Sequence, residues 1–410
     1  MHTLTRWISL LILGSLAGCG GKQGQAQVAG EGATGGEQGN IDVQALMKRE
    51  SEGLTRRKLA VQSLRAEVLS AADPKVVVED NVAKVVIPIG AEADVQCLLY
   101  DQDPLPGSTF VNIVESMKKE FEVRQVATGA MEVVKEAPVT PLTLVYAAKT
   151  AEGTALGQLK LAFHSRLGSS SLCMHDELGY VKSFTDVSRS FFETFDHGNP
   201  GLDTSYVEVF AGEINDQPAG HDRNLLFSEQ GVRKLLSMSL LMIQTGPIEI
   251  MAQDSSSLIT VDQQDRVEKG RWVESQNGAL ALDVELQRIK GNRYSYKGTR
   301  RGGEVKGELT TKDPLGLASS LWTQKELKSR LAKPAAFKLG FEQYRPDDDP
   351  AAVAPLEIVR RPEDPPRTVR IKVKDAEAIA LVDEQGRDSH SEVVMAGAKI
   401  VLDRVFERGK

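Results

Sequence analysis

The spacing of apolar residues changes several times along the chain, and each change predicts a different kind of element. Over residues 41–73 apolar positions recur about every seven residues, as expected for a narrow apolar stripe on a helix. The stripe consists of Met47, Leu54, Val61 and Val68. Asn40 before it and Asp73-Pro74 after it suit the two ends of a helix. The sequence therefore predicts a long amphipathic helix, which either packs on the protein's own body or forms a coiled coil with a partner.

Beyond residue 75 the pattern changes to short stretches rich in Val, Ile and Leu, separated by Gly, Asp and Pro. Such stretches predict β-strands joined by turns. Two β-rich domains are expected, over residues 75–200 and 203–344. Each is expected to carry a helix, over residues 184–195 in the first, where aromatic residues have helical spacing, and over residues 315–332 in the second.

The end of the chain predicts a linker followed by a small β module. Residues 345–367 are rich in Pro, Asp and Arg, a composition typical of a stiff linker. Residues 368–410 alternate apolar and polar positions between Gly turns. This tail resembles the small β-sandwich modules of the PEGA type, although Met395-Ala396 stands where those modules carry a proline. The resemblance implies an extracytoplasmic accessory module.

Together these elements predict an α+β fold. Its antiparallel, sheet-rich body carries packed helices, follows the long N-terminal helix and precedes the small β-sandwich-like module. An internal similarity adds a question about the body: the set Tyr146, Gly153, Gly157 and Leu159 matches the set Tyr296, Gly303, Gly307 and Leu309 without a gap. Either the two β-rich regions are related domains, or two hairpins share the same local chemistry.

The N-terminus has the three parts of a secretory signal. Arg6 precedes an apolar stretch over residues 8–13, and small residues then lead to Cys19. The stretch is too short to span a bilayer as a mature helix. The sequence Leu16-Ala17-Gly18-Cys19 resembles the lipobox of bacterial lipoproteins. That resemblance implies a signal peptide over residues 1–18 and a lipidated Cys19, with a diacylglyceryl thioether and an acylated (palmitate-type) amine.

The lipobox resemblance also implies that the protein is located in the cell envelope. Membrane lipid is then a partner through the acylated cysteine. Gly20 after the cysteine is compatible with the outer membrane. Residues 19–40 are rich in Gly, Gln, Ala and Glu and predict a disordered tether. The chain has 57 acidic and 50 basic residues and a net charge of −7, which argues against a nucleic-acid partner.

The cysteines and their neighbours are the main candidates for chemistry. Once Cys19 is lipidated, Cys97 and Cys173 remain, and an oxidising compartment favours a disulfide between them over two buried thiols. Cys173, His175 and Asp176, with His164 and His197 nearby, form the densest set of ligand-type residues. On a strand Cys173 and His175 share a face and are able to reach one zinc ion, but a disulfide removes that option.

We assign no catalytic or metal-binding role to the remaining polar motifs. His221-Asp222-Arg223 lies between Gly220 and Asn224 and is interpreted as a solvated turn, and Asp347-Asp348-Asp349 as part of an acidic linker. The sequence holds no phosphate-binding loop, no nucleophile elbow and no HExxH motif. We therefore expect no catalytic residue, no metal and no cofactor.

Three functional hypotheses follow. The first is a lipid-anchored, non-catalytic binding or structural module of the cell envelope with an envelope protein as partner. The second is a lipoprotein that carries a lipid or small ligand in a sheet-lined apolar cavity, for which the apolar segment 235–243, with Met238 and Met242, is the sequence hint. The third is an enzyme that uses Cys173, His175 and Asp176.

Overall fold

The protein is mostly β: strands account for 65% of the structure and helices for 12%. The computed structural model describes residues 43–61, 64–79, 82–100, 105–150, 153–166, 170–196, 203–313, 315, 321–331, 335–373, 376–395 and 397–409. The four helices of these ranges are α1 (Val43–Met47), α2 (Pro106–Glu120), α3 (Val181–Thr194) and α4 (Leu321–Leu331). The remaining elements are antiparallel strands in three sheets.

The N-terminal unit, residues 43–196, contains a hairpin and an eight-stranded sheet. The hairpin pairs β1 (Thr55–Val61) with β2 (Leu64–Ser70). The strands of the larger sheet are β3 (Lys75–Glu79), β4 (Val82–Pro88), β5 (Asp94–Leu99), β6 (Glu122–Thr128), β7 (Glu132–Val134), β8 (Ala137–Thr150), β9 (Gly153–His164) and β10 (Ser171–His175). Their order is β3-β4-β5-β10-β9-β8-β6, and β7 also pairs with β8.

Both faces of this N-terminal sheet are covered by helices. On one face α3 packs its buried Phe184, Phe191 and Phe192 against the sheet and the β1–β2 hairpin. On the other face α2 contributes Phe110 and Val114 to a second apolar cluster. The sheet is therefore the middle layer of three, and its alternate side chains are buried in opposite directions.

The C-terminal sheet, residues 203–409, has fourteen strands. They are β11 (Asp203–Ile214), β12 (Gln217–Glu229), β13 (Val232–Gly246), β14 (Glu249–Val261), β15 (Val267–Gln276), β16 (Ala279–Lys290), β17 (Arg293–Arg300), β18 (Gly303–Thr310), β19 (Phe337–Tyr344), β20 (Val353–Arg360), β21 (Thr368–Val373), β22 (Ala376–Val382), β23 (Asp388–Met395) and β24 (Ala398–Gly409). β11 to β18 follow one another in order, β19 to β24 do the same, and the two runs join where β24 pairs with β11.

This long sheet curls until its two end strands approach each other. Beyond β18 the Lys312 amide donates to Glu342 Oε2 of β19 at 2.9 Å. At the end of β17 the Arg300 guanidinium donates to the carbonyl oxygen of Asp347 at 2.7 Å. Because the sheet closes on itself in this way, one of its faces points inward. The helix α4, which connects β18 to β19, buries Leu327 among side chains of this inner face.

The outer face of β13 and β14 joins the two units. Leu240, Met242 and Ala252 belong to the same apolar cluster as Phe110 of α2. The buried carboxylate of Asp254 on β14 accepts hydrogen bonds from the amides of Gly107 and Ser108, each at 2.8 Å. It therefore supplies the N-terminal cap of α2 from a distant strand.

The long N-terminal helix predicted over residues 41–73 is wrong, and with it the α+β class. Among the described residues of this range only Val43–Met47 is helical, and Thr55–Val61 and Leu64–Ser70 form the β1–β2 hairpin. Along β2 every second residue is buried, beginning with Leu64. Burial therefore alternates with the two-residue period of a strand and not with the period of a helix. Gly53, with φ +67, lies between helix and hairpin in a conformation that interrupts a helix.

The predicted linker over residues 345–367 contains β20, which pairs with β19 and β21 inside the large sheet. The predicted β module over residues 368–410 is likewise the continuation of that sheet. The acidic triplet forms the β19–β20 turn, where Arg345 binds Asp347 Oδ2 at 2.8 Å. Ion pairing therefore gives a fixed turn to a segment whose Pro and Asp content predicts a linker.

The internal similarity corresponds to a repeated hairpin geometry. Tyr146 lies opposite Gly157 in the β8–β9 hairpin, and Tyr296 lies opposite Gly307 in the β17–β18 hairpin. In both pairs a Cβ on the glycine would overlap the tyrosine side chain. Each glycine therefore makes room for a tyrosine ring across the strand pair, and this local chemistry accounts for the matching residues.

Candidate functional site

The inner face of the curled sheet changes from apolar to polar and back to apolar along its central strands. Successive inward side chains on β13 are Leu235, Ser237, Ser239 and Leu241, because side chains alternate between the faces of a strand. All four are buried. The middle of the strand therefore presents two hydroxyls to the inside.

Neighbouring strands repeat the same order in register. Ser237 lies opposite Asn224 of β12 and Ser257 of β14, and Ser239 lies opposite Asp222 and Ser255. Glu208 of β11 lies opposite Asn224. We call this set the inner belt: Glu208, Asp222, Asn224, Ser237, Ser239, Ser255 and Ser257. None of its members is more than 8% exposed.

Apolar side chains lie on both sides of the belt. The Tyr294 cluster, on one side, includes Tyr206, Leu226, Leu235, Ile259, Trp272, Tyr294 and Tyr344. The Leu327 cluster, on the other, includes Phe210, Leu241, Leu327, Leu356, Ile358, Val369, Ala380 and Ile400. Both clusters combine strands from the two runs of the sheet, so both lie on its inner face. The belt is a polar layer between them.

Half of the belt is tied together by hydrogen bonds. The Tyr206 hydroxyl donates to Glu208 Oε2 at 2.7 Å, and the Asn224 amide donates to Glu208 Oε1 at 2.9 Å. The Ser237 hydroxyl donates to Asn224 Oδ1. Burial raises the pKa of Glu208, and burial together with the Glu208 carboxylate raises the pKa of Tyr206. These groups are held in fixed positions before anything binds.

The hydroxyls of the three remaining serines lack such bonds. The hydroxyl oxygens of Ser239, Ser255 and Ser257 are buried and have no hydrogen-bond partner. A buried polar group without a partner costs about 1–3 kcal/mol, so three of them in adjacent positions require an explanation. Each hydroxyl is able to donate one hydrogen bond and to accept two. The arrangement is suited to a polar group that enters from the inside of the sheet.

Charged side chains lie near the belt at Tyr206, where they neutralise one another. The Arg387 guanidinium lies 5.3 Å from the centre of the Tyr206 ring. Arg404 pairs with Asp383 at 2.9 Å and with Glu407 at 3.1 Å, and Arg387 pairs with the same two carboxylates. This end of the belt therefore carries two cations with two anions already bound to them.

The cysteines considered in the sequence are joined in a disulfide. Cys97 on β5 lies directly opposite Cys173 on β10, and their sulfur atoms are bonded. The bond removes the thiol that an enzyme or a zinc site at Cys173 needs. His175 Nδ1 donates to the carbonyl oxygen of Asp94 at 2.7 Å, and Asp176 is exposed. The structure therefore does not bring Cys173, His175 and Asp176 together as one site.

The other ligand-type residues considered in the sequence, where the structure describes them, do not join this region in one site. His164 is buried, and its Nε2 lies 3.0 Å from the carbonyl oxygen of Val134. Cys19 and His197 are outside the described residues. Within the described ranges no three His, Cys, Asp or Glu side chains are grouped as metal ligands. None of the helices described is both long and apolar enough to cross a membrane.

The interpretation of residues 221–223 as a solvated turn is wrong. All three are buried in the middle of β12, with Asp222 on the inner face. On the outer face His221 Nδ1 lies 3.3 Å from Thr140 Oγ1, and Arg223 donates to the carbonyl oxygen of Ser165 at 3.3 Å. Burial lowers the pKa of His221 to about 3. Gly220, which predicts a turn, instead allows the close approach of the Leu240 carbonyl.

The two methionines that the sequence analysis linked to a ligand cavity do not face the inside of the curled sheet. Met238 and Met242 lie on the outer face of β13, in apolar clusters outside the curl. The signal that sequence reasoning missed is the pair of serines between the leucines of the same segment, together with the serines of residues 255–257. Their inward direction depends on which face of β13 meets α2, and that contact is not encoded locally.

Comparison with known proteins gives no assignment. No protein-family model matches the chain, and no curated protein matches it. Among solved structures, a β-barrel-like protein of the domain of unknown function DUF1849 from Brucella abortus is similar over 50% of this chain and 98% of its own. The sequence identity is 9% and the TM-score 0.36, a likeness too slight to assign a fold or a function.

Proposed function

We propose that the protein is a lipid-anchored, non-catalytic binding protein of the cell envelope, which holds a ligand with apolar chains inside its curled sheet. The observation that carries the proposal is the set of three unpartnered hydroxyls on Ser239, Ser255 and Ser257, placed between two apolar clusters. The membrane anchor rests on the lipobox at residues 16–19.

The balance of energies favours a ligand over a purely structural role. Burying serine at these positions is less favourable than burying alanine or valine, because each serine keeps a hydroxyl without a partner. A ligand that supplies acceptors or donors removes that cost at the moment of binding. Most small-molecule sites share this design, with mainly apolar walls and a few polar groups that fix orientation.

The test is native mass spectrometry of the full chain, purified from its own membrane in mild detergent. We expect a mass in excess of the chain and its covalent lipids, which disappears on denaturation. Ser257→Leu fills the inside of the sheet and is expected to abolish the excess. Ser256→Leu makes the same change on the outer, half-exposed face of β14 and is the control. A wild-type protein with no releasable molecule contradicts ligand binding.

The anchor has a separate test in the same sample. After denaturation the intact mass is expected to show loss of residues 1–18 and acylation at Cys19. An unprocessed N-terminus, or a processed one without lipid, contradicts the anchored form and leaves the ligand measurement unaffected.

A further inference from the structure

We infer that the ligand of the inner belt is an uncharged amphiphile with ester or amide groups at its middle and apolar chains on either side, of the diacylglycerol type. This inference rests on the proposed function, since it names the class of ligand for the same site. Three properties of the inner face support it: the order of its layers, the chemistry of its hydroxyls and its charge.

The order of layers sets the shape of the ligand. On β13 the inward residues from Leu235 to Leu241 span about 20 Å, at roughly 3.4 Å per residue, and the polar pair stands in the middle. β11 shows the same order in Tyr206, Glu208 and Phe210, which place an apolar ring on each side of the carboxylate. A polar group in the middle of a molecule matches this layout, whereas a head group at one end leaves one apolar cluster without a chain.

The hydroxyls set the polar chemistry. Ser239 and Ser255 lie directly opposite each other, and Ser257 is two residues along the same strand as Ser255. Their three O–H groups are donors without acceptors. Ester and amide carbonyl oxygens are acceptors that need donors when they leave water, so each carbonyl would satisfy at least one of these hydroxyls.

The charges near the serines disfavour an ionic head group. An anion would lie next to the buried carboxyl groups of Glu208 and Asp222. It would gain little from Arg387 and Arg404, since both already bind Asp383 and Glu407. A cation would need the carboxylate of Glu208, whose two oxygens already accept from Tyr206 and Asn224, or that of Asp222, which also has a partner within the protein. An uncharged ligand avoids both conflicts.

The experiment offers the full, lipidated chain three competing amphiphiles after its own ligand has been removed by detergent exchange. Dioleoylglycerol, oleate and oleylamine are supplied at equal concentration in detergent micelles, and native mass spectrometry counts the molecules retained. We expect dioleoylglycerol to be retained at least tenfold more than either charged probe. Preferential retention of oleate or oleylamine overturns the ligand class and leaves the proposed function standing.

Variants link the result to the hydroxyls. The double variant Ser255→Ala/Ser257→Ala removes two donors without adding bulk, and we expect at least a tenfold loss of dioleoylglycerol. Ser256→Ala, on the outer face of the same strand, is expected to retain it, and thermal unfolding verifies that both variants are folded. Equal retention by the double variant overturns the inference. Retention of none of the probes overturns it as well, and the proposed function also fails if the untreated protein carries no releasable molecule.

Discussion

The two large sheets of this protein cover their faces in opposite ways. The N-terminal sheet lies between α2 and α3, whereas the C-terminal sheet curls and covers its inner face with its own far strands. Buried serines show the difference. Ser190 on α3 accepts from the Leu69 amide at 2.9 Å and donates to the Val187 carbonyl at 2.8 Å. The hydroxyl of Ser257 in the curled sheet has no hydrogen-bond partner.

This difference indicates which unit is structural and which is adapted to binding. Helices offer backbone carbonyls to nearby hydroxyls, so a serine on α3 is satisfied within the fold. A sheet uses its backbone groups in its own ladder and has few to spare for side chains on its face. Two other buried serines whose hydroxyls lack a partner, Ser165 and Ser171, lie at the ends of β9 and β10 and not in the middle of a face.

The largest effect is expected from the disulfide of the N-terminal unit. The double variant Cys97→Ala/Cys173→Ala opens a loop with a sequence separation of 76 residues. We expect a loss of about 4 kcal/mol in the free energy of unfolding, as for loops of this length in the chain-entropy model. Urea denaturation of the oxidised and reduced wild-type protein provides the control. Loss of ligand from the double variant while it remains folded would contradict the claim that the N-terminal unit is structural and the C-terminal unit binds the ligand.

Acid is expected to destabilise the folded protein through two buried histidines. Burial lowers the pKa of His164 and of His221 from 6.5 to about 3. The unfolded chain therefore binds protons that the folded protein excludes, so stability is present above pH 6.5 and is lost as the pH falls toward 3. Each histidine contributes a slope of about 1.4 kcal/mol per pH unit.

Urea denaturation at several pH values between 6.5 and 5 measures this slope while most carboxylates remain ionised. His221→Gln keeps a polar group near Thr140 and is expected to remove one histidine's share of the slope. An unchanged slope in this variant would show that His221 is not the titrating group.

A smaller loss is expected when the cap of α2 is weakened. Asp254→Asn keeps the shape of the side chain but removes one of the oxygens that accept from Gly107 and Ser108. We expect the free energy of unfolding to fall by about 1–2 kcal/mol, the usual range for loss of a helix cap. Asp176→Asn, at an exposed position, is the matched control. Equal stability of the two variants would contradict the capping role.

The smallest effect compares two serines that face each other. Ser237→Ala removes a hydrogen bond to Asn224 and is expected to cost about 1 kcal/mol in the ligand-free protein. Ser257→Ala removes a hydroxyl without a partner and is expected to leave stability unchanged or to raise it by about 1 kcal/mol. Thermal unfolding of both variants after ligand removal measures the difference. An equal loss at Ser257 would show that its hydroxyl has a structural role.

Sequence patterns predicted the local elements better than the long-range ones. The helix expected over residues 184–195 is α3, because its aromatic residues repeat with helical spacing. α2 was missed because its first residues, Pro106 and Gly107, are typical of a turn. Its cap comes from Asp254 on a distant strand, so the residue at the N-cap position is Leu105 and not the usual Ser, Thr, Asp or Asn.

The inner belt could be predicted only in part. The serines and leucines of β13 are visible in the sequence, as is their alternation with Met238 and Met242. Their direction is not, because either face of a strand can point inward. The packing of Leu240 and Met242 against α2 decides it, and this contact joins residues far apart in the chain.

A crystal structure of the protein purified with its native ligand tests the central claim most directly. We expect non-protein density inside the curled sheet, with polar atoms within about 3 Å of the hydroxyls of Ser239, Ser255 and Ser257. Apolar chains should extend from there toward Tyr294 and toward Leu327. An inside filled by protein side chains alone, with the three hydroxyls bonded to one another or to water, would contradict the account.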